Sequence, residues 1–152
     1  MKQAFTMVEL IFVIVIDGIL AAVAIIKLNA TREDAQIATL SGRITSAMSE
    51  ISAYAMSRGS MEGNVTAYSN IVAEMVEEGT AHIERAPGLT KISIQAGNTE
   101  DCVELVLSSG VSEENLSLAF NDPGDDVVCK GLKKRFADYN TTMILRGHVA
   151  KF

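Results

Sequence analysis

Residues 5–28, FTMVELIFVIVIDGILAAVAIIKL, constrain this chain more than any other stretch. They are apolar almost throughout, and from Leu10 to Ile26 the single charge is Asp17. A helix of these 24 residues rises ~36 Å at ~1.5 Å per residue, enough to cross a hydrocarbon core of ~30 Å. Lipid offers no partner to the backbone, so the conformation to expect is a helix, which satisfies its own amides. Glu9 stands near the start of the run. An acid at the edge of an apolar span is costly and is usually kept for a partner and a function. An ordinary signal peptide is the alternative, since Ala21, Ala22 and Ala24 imitate a cleavage motif. Its basic region would be Lys2 alone, however, and a signal peptide has no use for Glu9.

Phe5-Thr6-Met7-Val8-Glu9-Leu10 followed by a long apolar run resembles the N-terminus of type IV pilins and type II secretion pseudopilins. The resemblance is confined to the N-terminal segment. It implies that prepilin peptidase removes the leader Met1-Lys2-Gln3-Ala4, cutting between Ala4 and Phe5. It implies further that the new amine of Phe5 is N-methylated and that Glu9 is an assembly contact. Three positions depart from the family. Ala4 stands where Gly is usual before the cut. Ile26 stands where Pro is frequent, so the helix has no reason to kink there. Asp17 stands where an aliphatic residue is usual, and a carboxylate at that depth costs ~2.5–3.5 kcal/mol. It is protonated, or paired in the assembled state, or a weakness in assembly.

Beyond this stretch about 120 of the 152 residues remain, enough for one small domain with a modest core. A net charge of -6 repels phosphate backbones and argues against nucleic acid as the main partner. With no Trp and 5% aromatics, a stacking platform for bases or sugars is also disfavoured. Two cysteines, Cys102 and Cys129, show no metal-binding spacing. Behind a membrane anchor an even count reads as one disulfide, made in an oxidising periplasm or outside the cell. The alternative is two buried thiols.

After Leu28 the character changes. Thr31 with Asp34 could cap a new helix, yet nothing forces a stop. Ile37, Leu40, Ile44, Met48, Ile51 and Ala55 recur at spacings of three and four, an amphipathic stripe ending near Arg58-Gly59. The simplest reading is one helix from Phe5 to about Arg58, ~80 Å long, whose second half needs its apolar face covered. Residues 60–90 are less regular: a short helix over Ile71–Val76 ending at Gly79, then a turn at Pro87-Gly88. From Lys91 the period becomes two, over 91–95, 102–107 and 116–121, with Gly110 and Asp122-Pro123-Gly124 as separators and a last strand or pair over Met143–Phe152. Four or so short strands on tight connections imply an antiparallel sheet. The fold class is therefore α+β: a long N-terminal helix, its second half packed on a small C-terminal antiparallel sheet. The domains are a leader (residues 1–4), a transmembrane or filament-core helix (5–30) and a C-terminal globular domain (31–152) that includes the amphipathic half of the helix.

Other clusters carry blander readings. Lys130, Lys133, Lys134 and Arg135 could meet DNA or lipid headgroups, but a solvated face is preferred. Glu74, Glu77 and Glu78 form an opposite cluster that could meet it between subunits. Asn121, Asp122, Asp125 and Asp126 place oxygen-bearing side chains as a calcium loop would, and some secretion pseudopilins bind calcium in a C-terminal loop. The spacing is not that of an EF-hand, and Asp-Pro-Gly is ordinary turn chemistry, which is the preferred reading of Asp122, Asp125 and Asp126. His82 and His148 have no acid or Cys at ligand spacing, and no residue order suggests catalysis, so the chain is not read as an enzyme and needs no cofactor.

The expectation is a filament subunit. Before assembly it would sit in the inner membrane as a single-pass protein. Prepilin peptidase and assembly platform proteins would then pass it into a homo-oligomeric helical filament, periplasmic or on the cell surface. The alternative is a single-pass anchored periplasmic domain that binds a ligand or partner as a monomer. Phe5 with Glu9 separates the two, since an anchor alone needs neither.

Overall fold

The computed structural model describes residues 6–58, 63–110, 113–139 and 142–146. The leader, Ala4, Phe5, Gly59, His148 and the end of the expected last strand lie outside the described residues. The chain divides into two units, Met1–Ala35 and Gln36–Phe152. In the first unit, helix α1 (Met7–Arg58) begins. Its stretch Met7–Ile25 is apolar and long enough to span a membrane, and none of it is buried. Thr31 caps no new helix: its hydroxyl donates to the carbonyls of Lys27 and Leu28 while α1 continues.

In the second unit the rest of α1 meets an antiparallel sheet. Ile44, Met48, Ile51 and Ala55 are buried, and Ile37 and Leu40 pack at the edge of the same core. That is the stripe expected from spacing alone, because residues three and four apart share a helix face. After α1 come a 3-10 turn (Val65–Ala67), α2 (Asn70–Glu77), then β1 (Ala81–Ala86), β2 (Leu89–Ala96), β3 (Thr99–Ser109) and β4 (Glu114–Phe120), then α3 (Val127–Arg135), a second 3-10 turn (Ala137–Tyr139) and β5 (Met143–Arg146). The sheet order is β1-β2-β3-β4-β5, a meander in which every neighbour is antiparallel. Two-residue turns, Pro87-Gly88 and Gly97-Asn98, join β1 to β2 and β2 to β3.

Register explains the core. Ile83, Ile92, Leu105 and Leu118 stand across from one another on four strands, and Ile94 pairs with Val103. Alternation puts all of them on one sheet face, where α1 covers them. On the other face the Lys91 ammonium lies 2.7 Å from Glu104, which also accepts from Asn121 at 2.6 Å. Burial pushes the Glu104 carboxyl up, but these two donors outweigh it and hold the group below its ordinary range.

Two elements differ from the sequence expectation. Residues 81–86, within the stretch 60–90 that reads as less regular, form an edge strand in which His82, Glu84 and Arg85 are exposed. An edge strand tolerates such residues, since one side of it is open. Residues 127–135 form α3, although the basic cluster suggested only a solvated face. Lys130, Lys133, Lys134 and Arg135 are indeed exposed, while Val128, Cys129 and Leu132 turn the other side of α3 into the core.

Candidate assembly site at the helix start

Thr6 and Glu9 build the start of α1. The Thr6 amide donates to Glu9 Oε2 at 2.9 Å and the Thr6 hydroxyl donates to the same oxygen at 2.6 Å. In return the Glu9 amide donates to Thr6 Oγ1 at 3.3 Å. This is a capping box: the Ncap and N3 residues satisfy each other's amides, which the first helical turn otherwise leaves open. Glu9 also places negative charge where the helix dipole favours it. The signal, Thr6-x-x-Glu9 before an apolar run, stands in the sequence, but an assembly reading of Glu9 passes over it. Glu9 Oε1 takes no part in these bonds. Phe5 lies outside the described residues, and so does any contact of its amine with Glu9.

The apolar surface around this start is continuous. Thirteen large apolar side chains between Met7 and Ile25 are each more than half exposed. Asp17 is exposed among them, eight residues beyond Glu9.

The Asp122–Asp126 loop makes its contacts within the chain. Asp122 accepts from the Gly124 amide within its own turn. Asp125 lies 3.5 Å from the Lys130 ammonium. Asp126 caps α3 by accepting from the Cys129 amide at 2.8 Å, and its other oxygen accepts from the Asn98 amide at 2.8 Å. Burial raises the Asp126 carboxyl, but the Asn98, Cys129 and Val128 amides overcome this and hold it below its usual range. Gly97, at φ 59°, leaves room for that carboxylate in the β2–β3 turn, where a Cβ would strike it. Among the described residues no group of three or more His, Cys, Asp or Glu is placed to hold a metal. Next to this knot Cys102 of β3 is bonded to Cys129 of α3, with Cα atoms 5.8 Å apart.

The acidic cluster of α2 is engaged within the chain. Arg43 of α1 donates to Glu78 at 2.5 and 3.1 Å and lies 3.4 Å from Glu74. The Glu78 bond, against burial, raises the Arg43 guanidinium further, and Arg43 in turn lowers Glu78. Two of the three acids expected to meet the basic cluster of another subunit are thus already paired. His82 is exposed on β1, across from Ser93. An apolar groove of about 380 Å³ lies beside α1, lined by Met48, Met56, Phe136, Tyr139 and Met143 among others.

No family model, curated protein or solved structure matches the chain. The apolar N-terminal helix, the sheet under its second half and the disulfide are compatible with a pilin-like fold.

Proposed function

We propose that this chain is a structural subunit of a type IV pilus-like or type II secretion pseudopilus filament. In this reading prepilin peptidase processes it, and it is assembled from the inner membrane through bundling of its N-terminal helices. The observation that carries the reading is the Phe5–Leu10 motif opening a fully exposed apolar helix. Burying thirteen large apolar side chains at ~1.5–3 kcal/mol each gains on the order of 20 kcal/mol or more. The ~3 kcal/mol cost of one mid-span carboxylate is small beside that. The segment therefore leaves water for lipid, and in this reading its later passage into a fibre core depends on contacts between helices.

Glu9 would act in the second step. Removal of the leader gives Phe5 a cationic amine one helical turn before Glu9. Oε1, outside the capping box, is the oxygen left to accept the amine of a neighbouring subunit. Such a pair neutralises both charges as the helix leaves the membrane and sets axial register, which apolar faces alone would let slide. Sequencing the mature protein from its native membrane tests the processing step. The first residue should be Phe5, N-methylated; a start at Met1 or near residue 25 would contradict it.

The second reading, an anchored domain that acts as a monomer, draws support from the apolar groove beside Met48 and Phe136. It requires neither Phe5 nor Glu9, so a monomer that works normally after Glu9→Gln would favour it.

A further inference from the structure

The apolar segment carries a second acid that the proposed assembly contact does not use. Asp17 lies near the middle of Met7–Ile25 and is exposed. It stands ~12 Å along the axis from Glu9, too far to share the capping box. The nearest basic residue along the chain is Lys27, ten positions on and ~15 Å away, at the far edge of the span. A carboxylate at such depth faces a partner or a cavity, because lipid cannot solvate it.

Gly18 adjoins it. A glycine inside a helix costs stability relative to alanine, and among the described residues nothing packs against Gly18 to require one. A Cβ at Gly18 would meet no atom within 4 Å, and its φ is not positive. One turn on stand Ala21 and Ala22, also small. Small residues beside a polar one let a second backbone come close enough for a donor to reach it in lipid. The face at the level of the carboxylate is therefore open to a second backbone.

We infer that the Asp17-Gly18-Ala21 face binds a transmembrane helix of a different protein, one carrying a lysine or arginine near the bilayer midplane. The inference rests on the reading of Met7–Ile25 as membrane-spanning and adds a partner to it. A second copy of this chain is the wrong occupant. In register it would bring Asp17 against Asp17, and from Leu10 to Ile26 it offers no cation at all. For copies in register, the complementary charge at the level of Asp17 comes from another chain.

The test uses the full chain, donor-labelled, in phosphatidylcholine–phosphatidylglycerol vesicles. Acceptor-labelled single-span Leu/Ala peptides carry either a central Lys or a central Leu, and flotation shows whether chain and peptides insert. Energy transfer should show about tenfold tighter association with the Lys peptide. That preference should vanish in Asp17→Leu and fall in Gly18→Leu. It should also vanish in the double variant Asp17→Ile, Val15→Asp, which keeps a carboxylate at nearly the same depth but turns it ~200° round the helix. Equal association with both peptides would overturn the inference, as would a preference that survives moving the carboxylate to residue 15. Self-association of labelled copies that disappears in Asp17→Leu would also overturn it, in favour of the second copy. A chain that does not float with vesicles sinks the membrane-spanning reading and this inference together. A chain that floats without preferring Lys sinks the inference alone.

Discussion

Replacing both Cys102 and Cys129 by Ala should destabilise the C-terminal unit by an amount the loop length sets. The cysteines are 27 residues apart, and the bridge encloses all of β4 and the Asp122–Asp126 turn. Loop-closure entropy for ~27 residues amounts to ~12 cal/mol/K, or ~3.5 kcal/mol at room temperature. Both cysteines are fully buried in the core cluster, so the small voids left by Ala add to the loss. The unit comprises Gln36–Phe152, and a domain of ~115 residues unfolds with ~0.25 kcal/mol/K of entropy, so Tm should fall by ~14 °C. The assay is thermal unfolding of the full chain in detergent, followed by circular dichroism, for oxidised wild type, reduced wild type and the double variant. The reduced wild type and the variant should melt close together and well below the oxidised protein. A variant that melts within ~3 °C of oxidised wild type would show that the bridge contributes little. It would mean that the Asp126 knot and the core hold α3 on β3 without the bond.

Ile51→Ala removes a fully buried side chain between α1 and the sheet and should cost ~3 kcal/mol in denaturant unfolding, with an unchanged m-value. Asp126→Ala should cost ~1 kcal/mol as a lost helix cap, and it should also change the acid response. The folded-state pKa of Asp126 is depressed, so its contribution is complete above the ordinary Asp pKa and is lost as pH falls through the lower folded value. Urea midpoints measured across that acid range should fall less steeply in Asp126→Ala than in wild type; identical slopes would show that Asp126 is not the titrating group. Thr6→Ala opens the capping box but leaves the Glu9 charge, so sheared filament yield should survive it far better than Glu9→Gln. Equal losses would assign Glu9 to helix capping instead of subunit contact.

The parts of the fold that were legible have one period over many residues. Ile37 to Ala55 kept helical spacing long enough to fix which face of α1 meets the sheet, and β2, β3 and β4 alternate over most of their length. β1 escaped because it is an edge: Ala81 and Ile83 turn toward the core, while His82, Glu84 and Arg85 mask the alternation. α3 escaped because its basic residues dominate the eye. Its buried set, Val128, Cys129, Leu132 and Phe136, has helical spacing, and Asp126 stands ready as the cap. The pairing of Arg43 with Glu74 and Glu78, residues 31 and 35 positions apart, has no local signal, since only the packing of α2 brings them together. At the candidate site the observed capping role of Glu9 and its proposed contact role both draw on one hexapeptide. The capping role needs only Thr6, within the same turn, whereas the contact role depends on a neighbouring subunit.

In the proposed function Glu9 joins subunits of a filament. Cells producing wild type or Glu9→Gln protein are sheared, and the released material is imaged by electron microscopy and probed for the chain. Membrane abundance and the melting of the C-terminal unit serve as controls. Thin filaments containing the wild-type chain are expected, and for Glu9→Gln an intact folded unit and an undiminished membrane pool with few or no filaments. Wild-type filament yield from Glu9→Gln would contradict it.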